Sequence, residues 1–101
     1  MNLRSLQYLV AVAEQRHFGN AARLCNVTQP TLSTQLKKLE SYLGVQLIVR
    51  RRNEAMPTEV GWEVVALARE MLRAKDQIKT LAHSQRVSGW GDMPPSRHNH
   101  S

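Results

Sequence analysis

The sequence has little of several things, and each shortage narrows the field. One cysteine, Cys25, stands among 101 residues, so a fold stapled by internal disulfides is excluded. A lone thiol fits a reducing compartment, and the cytoplasm is the expected location. Five glycines and four prolines are too few for a collagen-like or low-complexity chain. No apolar run approaches the roughly 18 residues that a membrane-spanning helix needs. The early run Leu9 to Ala13 is too short for the apolar part of a secretory leader and has no small-residue cleavage site behind it, so no leader is expected. Aromatic residues make up only 5%, yet 42% of the chain is hydrophobic, which excludes full disorder and suits one small soluble domain.

Acidic residues are scarce too. Eight acids face fourteen basic residues, for a net charge of +6. Such an excess points to a polyanionic partner, nucleic acid first. Its placement is more telling than its size. Residues 1–57 hold eight basic and three acidic side chains, whereas residues 58–85 hold four of each. The first stretch therefore carries nearly all the attraction for phosphate, and the second is balanced like a solvated helix or coiled coil.

What is present is mostly helical patterning. Leu3, Leu6, Leu9, Val10 and Ala13 predict a helix from about Asn2 to Gln15, broken by His17-Phe18-Gly19. Asn20 to Cys25 reads as a short helix whose Ala21 and Ala22 let another helix cross closely. Asn26 is the expected turn residue, because Asn tolerates the left-handed conformation. Thr28 is a good N-cap, and Pro30 falls in the first turn, where proline costs little. Leu32, Leu36, Leu39 and Leu43 mark one face of a third helix to about Tyr42, stopped by Gly44. Val45 to Val49 reads as a strand, Arg50 to Glu54 as a tight polar turn, and Ala55-Met56-Pro57 as a second strand limited by its proline. Thr58 then caps a fourth helix. Val60, Val64, Leu67, Met71, Ala74, Ile78 and Leu81 alternate spacings of four and three, a 3.5-residue period. A helix of that length spans about 40 Å. The preceding globule is too small to cover it, so the stripe is assigned to a homodimer interface; the plainer use of such a stripe is packing on its own domain.

The expected fold is therefore mainly α. A winged helix-turn-helix over residues 1–58, with three helices and a small β-hairpin, leads into a linker and dimerisation helix over 59–85. Residues 86–101 are expected to form a disordered tail.

The helix pair from Asn20 to Tyr42 suits DNA reading. The first helix crosses the backbone, and the second offers its N-terminal residues to base edges in the major groove. Gln29, Thr31, Ser33 and Thr34 lie at that end, opposite the leucines. Glutamine can pair with adenine N6/N7, hydroxyls donate or accept, and a threonine methyl can meet a thymine methyl. Lys37 and Lys38, one turn on, suit phosphate. Thr28 and Ser33 also have a plainer use in capping and solvation. Arg50, Arg51 and Arg52 at the hairpin tip make a cationic wing for phosphates or a narrow minor groove; the plainer use of such a run is solubility.

Other constellations are weak. His98-Asn99-His100 lacks cysteine or carboxylate companions for a metal. His17 and Cys25 have no acid partner, and Cys25 reads as a small buried hydrophobe. No catalytic residue, metal or cofactor is expected, and the chain does not read as an enzyme.

Three segments, Phe18-Gly19-Asn20-Ala21-Ala22-Arg23-Leu24, Val27-Thr28-Gln29-Pro30-Thr31-Leu32-Ser33, and Leu39-Glu40 with Leu43-Gly44, resemble the amino-terminal DNA-binding domain of bacterial LysR-type transcriptional regulators. Leu6-Gln7-Tyr8-Leu9 and Val12-Ala13-Glu14 match as well, and the His-Phe-Gly opening is similar to the peroxide-sensing branch. The resemblance covers about Met1 to Leu81. It implies a dimer on dyad-symmetric double-stranded DNA and adds Pro30 to the groove-facing residues, so that the DNA-facing set is Thr28, Gln29, Pro30, Thr31, Ser33, Thr34, Lys37, Lys38, Arg50, Arg51 and Arg52. Where the family has Leu-Phe-x-Arg, this chain has Leu47-Ile48-Val49-Arg50, and Pro57 precedes the cap of the fourth helix. The family's effector-binding region has no counterpart here, so the chain reads as a truncated piece, a frameshifted product or a stand-alone domain. Two alternatives remain beside direct regulation. One is an interaction module that heterodimerises with a full-length related regulator and interferes with it. The other is a non-specific architectural DNA binder.

Overall fold

Asn2 opens the first helix. Its Oδ1 accepts the Ser5 backbone N–H at 2.8 Å and the Ser5 hydroxyl at 2.9 Å, which caps α1 (Leu3–Gln15). The computed structural model describes residues 1–52 and 54–88. The mainly helical architecture predicted from the sequence is present, with four helices and one two-stranded antiparallel hairpin among the described residues.

α1 ends at Arg16, which takes the left-handed conformation (φ 55°) and donates its N–H to Val12 O at 2.7 Å. The break is shorter than predicted. His17 acts as an N-cap, its Nδ1 accepting the Asn20 N–H at 3.0 Å, so α2 spans Phe18–Cys25 and already includes Phe18 and Gly19. Asn26 closes α2 in the left-handed region (φ 59°), as predicted. Thr28 caps α3 (Gln29–Leu43), with Pro30 in its first turn and Gly44 (φ 74°) at its end.

The hairpin begins later than predicted. The strands are β1 (Ile48–Arg51) and β2 (Glu54–Pro57), paired from Ile48↔Pro57 to Arg51↔Glu54. The backbone N–H groups before β1 have partners on α3 instead. Val45 donates to the Glu40 carbonyl at 3.3 Å, and Leu47 and Ile48 donate to the Glu40 carboxylate. The ladder therefore reaches the arginines, and Arg52 turns the chain with φ 49°.

The core gathers Leu9 and Val12 from α1, Ala21 and Ala22 from α2, Leu32, Leu36 and Leu39 from α3, and Leu47, Ile48 and Ala55 from the wing region. α4 (Glu59–Ser88) adds Val65 and Ala68 to it. This helix passes the expected end at Gln85, since no glycine or proline intervenes before Gly89 and Arg86 suits a helix C-terminus. The expected tail from Gly89 onward lies outside the described residues. Val64, assigned to the outward stripe, is a partial correction: it is half-buried against the domain's own core. Val60, Leu67, Met71, Ala74, Ile78 and Leu81 are exposed.

α4 meets the body through a close approach at Gly61. A Cβ there would lie 2.1 Å from the Leu47 carbonyl oxygen and 3.1 Å from Thr58 Oγ1. That carbonyl already accepts the Thr58 N–H at 2.9 Å, and Thr58 Oγ1 accepts the Gly61 N–H at 2.9 Å. Alanine in place of a helical glycine ordinarily stabilises by about 0.5–1 kcal/mol. Here the clash is with backbone and reverses the sign, at an overpacking cost of about 1–3 kcal/mol. Gly61→Ala should therefore lower the melting temperature by roughly 4–8 °C per kcal/mol lost in a domain of this size. A calorimetric scan showing an equal or higher melting temperature would refute the close approach.

Candidate nucleic-acid interface

α3 buries Leu32, Leu36 and Leu39, while Leu43, expected on the same face, is exposed at the helix end; the opposite side of its first turns is open. Thr28, Gln29, Pro30, Thr31, Thr34, Lys37 and Lys38 are exposed, and Ser33 is half-buried. Thr28 is committed to the cap: its Oγ1 accepts the Thr31 N–H at 3.2 Å and donates to Thr31 Oγ1 at 3.0 Å. Thr31 keeps its own hydroxyl proton for an outside acceptor. The side chains of Gln29, Ser33 and Thr34 make no hydrogen bond with the described residues. Gly19 on α2 leaves room beside them, since a Cβ there would lie 2.9 Å from the His17 ring and 3.2 Å from Gln29 Nε2.

Between the starts of α2 and α3 and the wing lies a cleft of about 310 Å³, lined by His17, Phe18, Gln29, Ser33, Arg50 and Arg52. The helix N-termini at its edge favour an anion. Lys37, Lys38, Arg51 and Arg52 are exposed and form no ion pair among the described residues. These four cations and the open face of α3 are on one body, with no acidic partner for them among the described residues.

Arg50 departs from the wing expected of three equivalent arginines. It stands in β1, one residue inside the tip, and turns inward. Its Nη1 is 3.8 Å from Glu40 Oε1, and its guanidinium lies over the Phe18 ring, 5.1 Å from the centroid. Its Nε and Nη2 are buried without a hydrogen-bond partner among the described residues. Alternation along the strand is the physical reason, since neighbours in a strand point to opposite faces. Arg50 faces the body where Arg51 faces out.

Sequence reasoning gave Glu40, Phe18 and Arg16 no place in the site. Glu40 Oε2 accepts the Leu47 N–H at 2.8 Å and the Ile48 N–H at 3.1 Å. Arg16 accepts the Ala55 N–H on its carbonyl at 3.1 Å and stacks on Trp62 of α4 at 5.6 Å. The signal for Glu40 was present as one of only three acids in the basic stretch 1–57. Arg69 also ties α4 to Glu14 of α1 at 3.1 Å. Cys25 is half-buried, less than expected, and burial pushes its thiol up from the ordinary range. The thiol therefore stays protonated and weakly nucleophilic near neutrality. No group of three or more potential metal ligands exists among the described residues.

The profile of the bacterial regulatory helix-turn-helix proteins of the lysR family matches residues 3–62. The chain is 48% identical over 85 residues to the DNA-binding transcriptional dual regulator OxyR of Escherichia coli K12, covering 84% of this chain and 28% of that protein. It thus spans little more than a quarter of that relative's length. Among solved structures it is similar to the BenM DBD in complex with benA site 1 DNA, at 36% identity and a TM-score of 0.80, covering 88% of this chain and 99% of that one. A full-length OxyR variant from Pseudomonas aeruginosa also matches, at 43% identity and a TM-score of 0.80, over 83% of this chain and 28% of that one.

Proposed function

The chain belongs to the lysR family of bacterial regulatory helix-turn-helix proteins, and from that premise we propose that it binds double-stranded DNA in a sequence-specific manner, as a homodimer, and so regulates transcription. The observation that carries this reading is the open N-terminal face of α3 beside four cations that form no ion pair among the described residues. The BenM relative was solved on DNA with the same architecture, which supports the same use of α3 here.

In this reading α3 enters the major groove with Gln29 leading. Its amide can pair with adenine N6/N7, while the Thr31, Ser33 and Thr34 hydroxyls bond to base edges or phosphate and Pro30 packs at the groove wall. Lys37 and Lys38 hold the backbone alongside. Arg51 and Arg52 reach the adjacent phosphates or the minor groove. Two copies joined through α4 present two reading helices to successive grooves, which favours a dyad-symmetric site. The work is that of a binding protein in the cytoplasm, at the nucleoid, and requires no cofactor.

Selection from random duplex DNA, followed by footprinting, tests the reading. It should return a dyad-symmetric consensus. Gln29→Ala should cost about 1–3 kcal/mol at one base pair of each half-site and relax the preference there. Arg51→Ala should weaken all duplexes about equally, because phosphate contacts carry no sequence information. Equal loss of preference in both variants would refute this division of roles, and a selection without consensus would favour architectural binding.

A further inference from the structure

Glu40 stands on α3, the helix that carries the reading face, yet its carboxylate is directed at the wing. One oxygen accepts both backbone N–H groups that lead into β1, from Leu47 and Ile48, at 2.8 and 3.1 Å. The other lies 3.8 Å from Arg50 Nη1. Arg50 in turn covers the Phe18 ring at the start of α2. A single carboxylate thus joins the reading helix, the wing strand and, through Arg50, the helix behind them. β1 and β2 form a hairpin of four residues per strand, and a two-stranded hairpin alone is at best marginally stable in water. Its placement must come from such tethers. Arg51 and Arg52 follow directly on Arg50, so the direction in which they leave the body is fixed at this junction.

We propose that Glu40, acting through Arg50, is a positioning residue for DNA binding: it sets the wing cations at a fixed offset from the reading face of α3, so that both engage one duplex together. Arg50 accordingly serves as a strut and not as a phosphate contact. The proposal rests on the DNA-binding reading above and deepens it. Its energetic logic is preorganisation, since a wing already aimed at the phosphates loses less freedom on binding.

The charge change makes the test sharp. Glu40→Gln removes an acid from a protein attracted to a polyanion, so simple electrostatics predicts tighter binding. The positioning role predicts the opposite. The amide keeps the side-chain length and one oxygen for the two N–H groups, but it sets an NH2 donor against the Arg50 guanidinium in place of the oxygen that holds it. The probes are a duplex carrying the selected consensus and a random duplex of equal length, read by fluorescence anisotropy across a salt series. With the melting curve of the variant confirming a folded chain, Glu40→Gln should lose about tenfold in affinity. Its log–log salt slope should fall by about 2 per protomer, the share of Arg51 and Arg52. Arg51→Ala should then cost much less in the Glu40→Gln background than in the unaltered chain. Arg50→Lys provides the second arm. It keeps the charge but loses the planar group that stacks on Phe18, so positioning predicts a loss like that of Glu40→Gln. Retained affinity and slope in Arg50→Lys, or tighter binding by folded Glu40→Gln, would overturn the proposal. An unaltered chain that binds no duplex would instead overturn the DNA-binding reading itself.

Discussion

Raising the salt from about 50 to about 200 mM should weaken binding of the dimer to its DNA by about 10⁴, with a log–log slope near −7. The figure follows from the free cations that flank the reading face. Lys37, Lys38, Arg51 and Arg52 are exposed and unpaired among the described residues, four in each protomer and eight in a dimer. Each neutralised phosphate releases condensed counterions and contributes about −0.9 to the slope on duplex DNA. Arg50 is left out of the count because its guanidinium is held between Glu40 and Phe18. Arg16 and Arg69 are likewise engaged, on Trp62 and Glu14. The hydrogen bonds of Gln29, Thr31 and Thr34 to base edges would add affinity with little salt dependence. The slope on consensus and on random duplex should therefore be similar while the intercepts differ. Titration by anisotropy at four or five salt concentrations measures both. A slope of −2 or shallower would mean that these cations do not meet phosphate, and the open side of α3 would need another partner.

The helices and their caps were legible because the determinants are local. Asn26, Thr28 and Gly44 each act within a few residues of their own position, and the leucine spacing of α3 declares its buried side. Arg16 shows the limit. Its left-handed backbone lets α1 turn into α2 without a glycine, and nothing in the residue type announces that. The start of the wing was missed for a different reason. Val45 and Leu47 have strand-like side chains, but their N–H groups are taken by Glu40, so a partner on α3 displaced the ladder. The same carboxylate explains why three adjacent arginines are not equivalent. Composition locates a cationic tip; only the register of β1 separates the strut from the contacts.

Ile78→Glu should convert the protein to monomers and lower its affinity for a two-half-site duplex by about 10²–10⁴, the usual advantage of linking two sites. α4 carries two apolar stripes one position apart, and they diverge where the body ends. Gly61, Val65, Ala68 and Leu72 face the domain; Gly61, Val65 and Ala68 are buried, and Leu72 is half-buried. The next positions in that row are Lys75, half-buried, and Lys79, exposed, so this stripe turns charged as the body ends. The outer stripe does the reverse. Leu67, Met71, Ile78 and Leu81 are 60%, 46%, 66% and 69% exposed, yet the row stays apolar past the last contact with the domain. An apolar row kept so far from its own core points to a covering surface from a second chain, and the 3.5-residue period suits a helix as that surface. Ile78 lies beyond the body, so a carboxylate there leaves the folded domain intact while placing an unpaired charge in the interface. Thr80→Glu adds the same charge on the opposite side of α4 and should leave the dimer unchanged. Sedimentation velocity separates the two variants. Binding of each to a single half-site should remain equal to that of the unaltered chain, because the reading face is untouched. A dimer that survives Ile78→Glu would place the interface elsewhere, and the two reading helices would then be spaced by something other than α4.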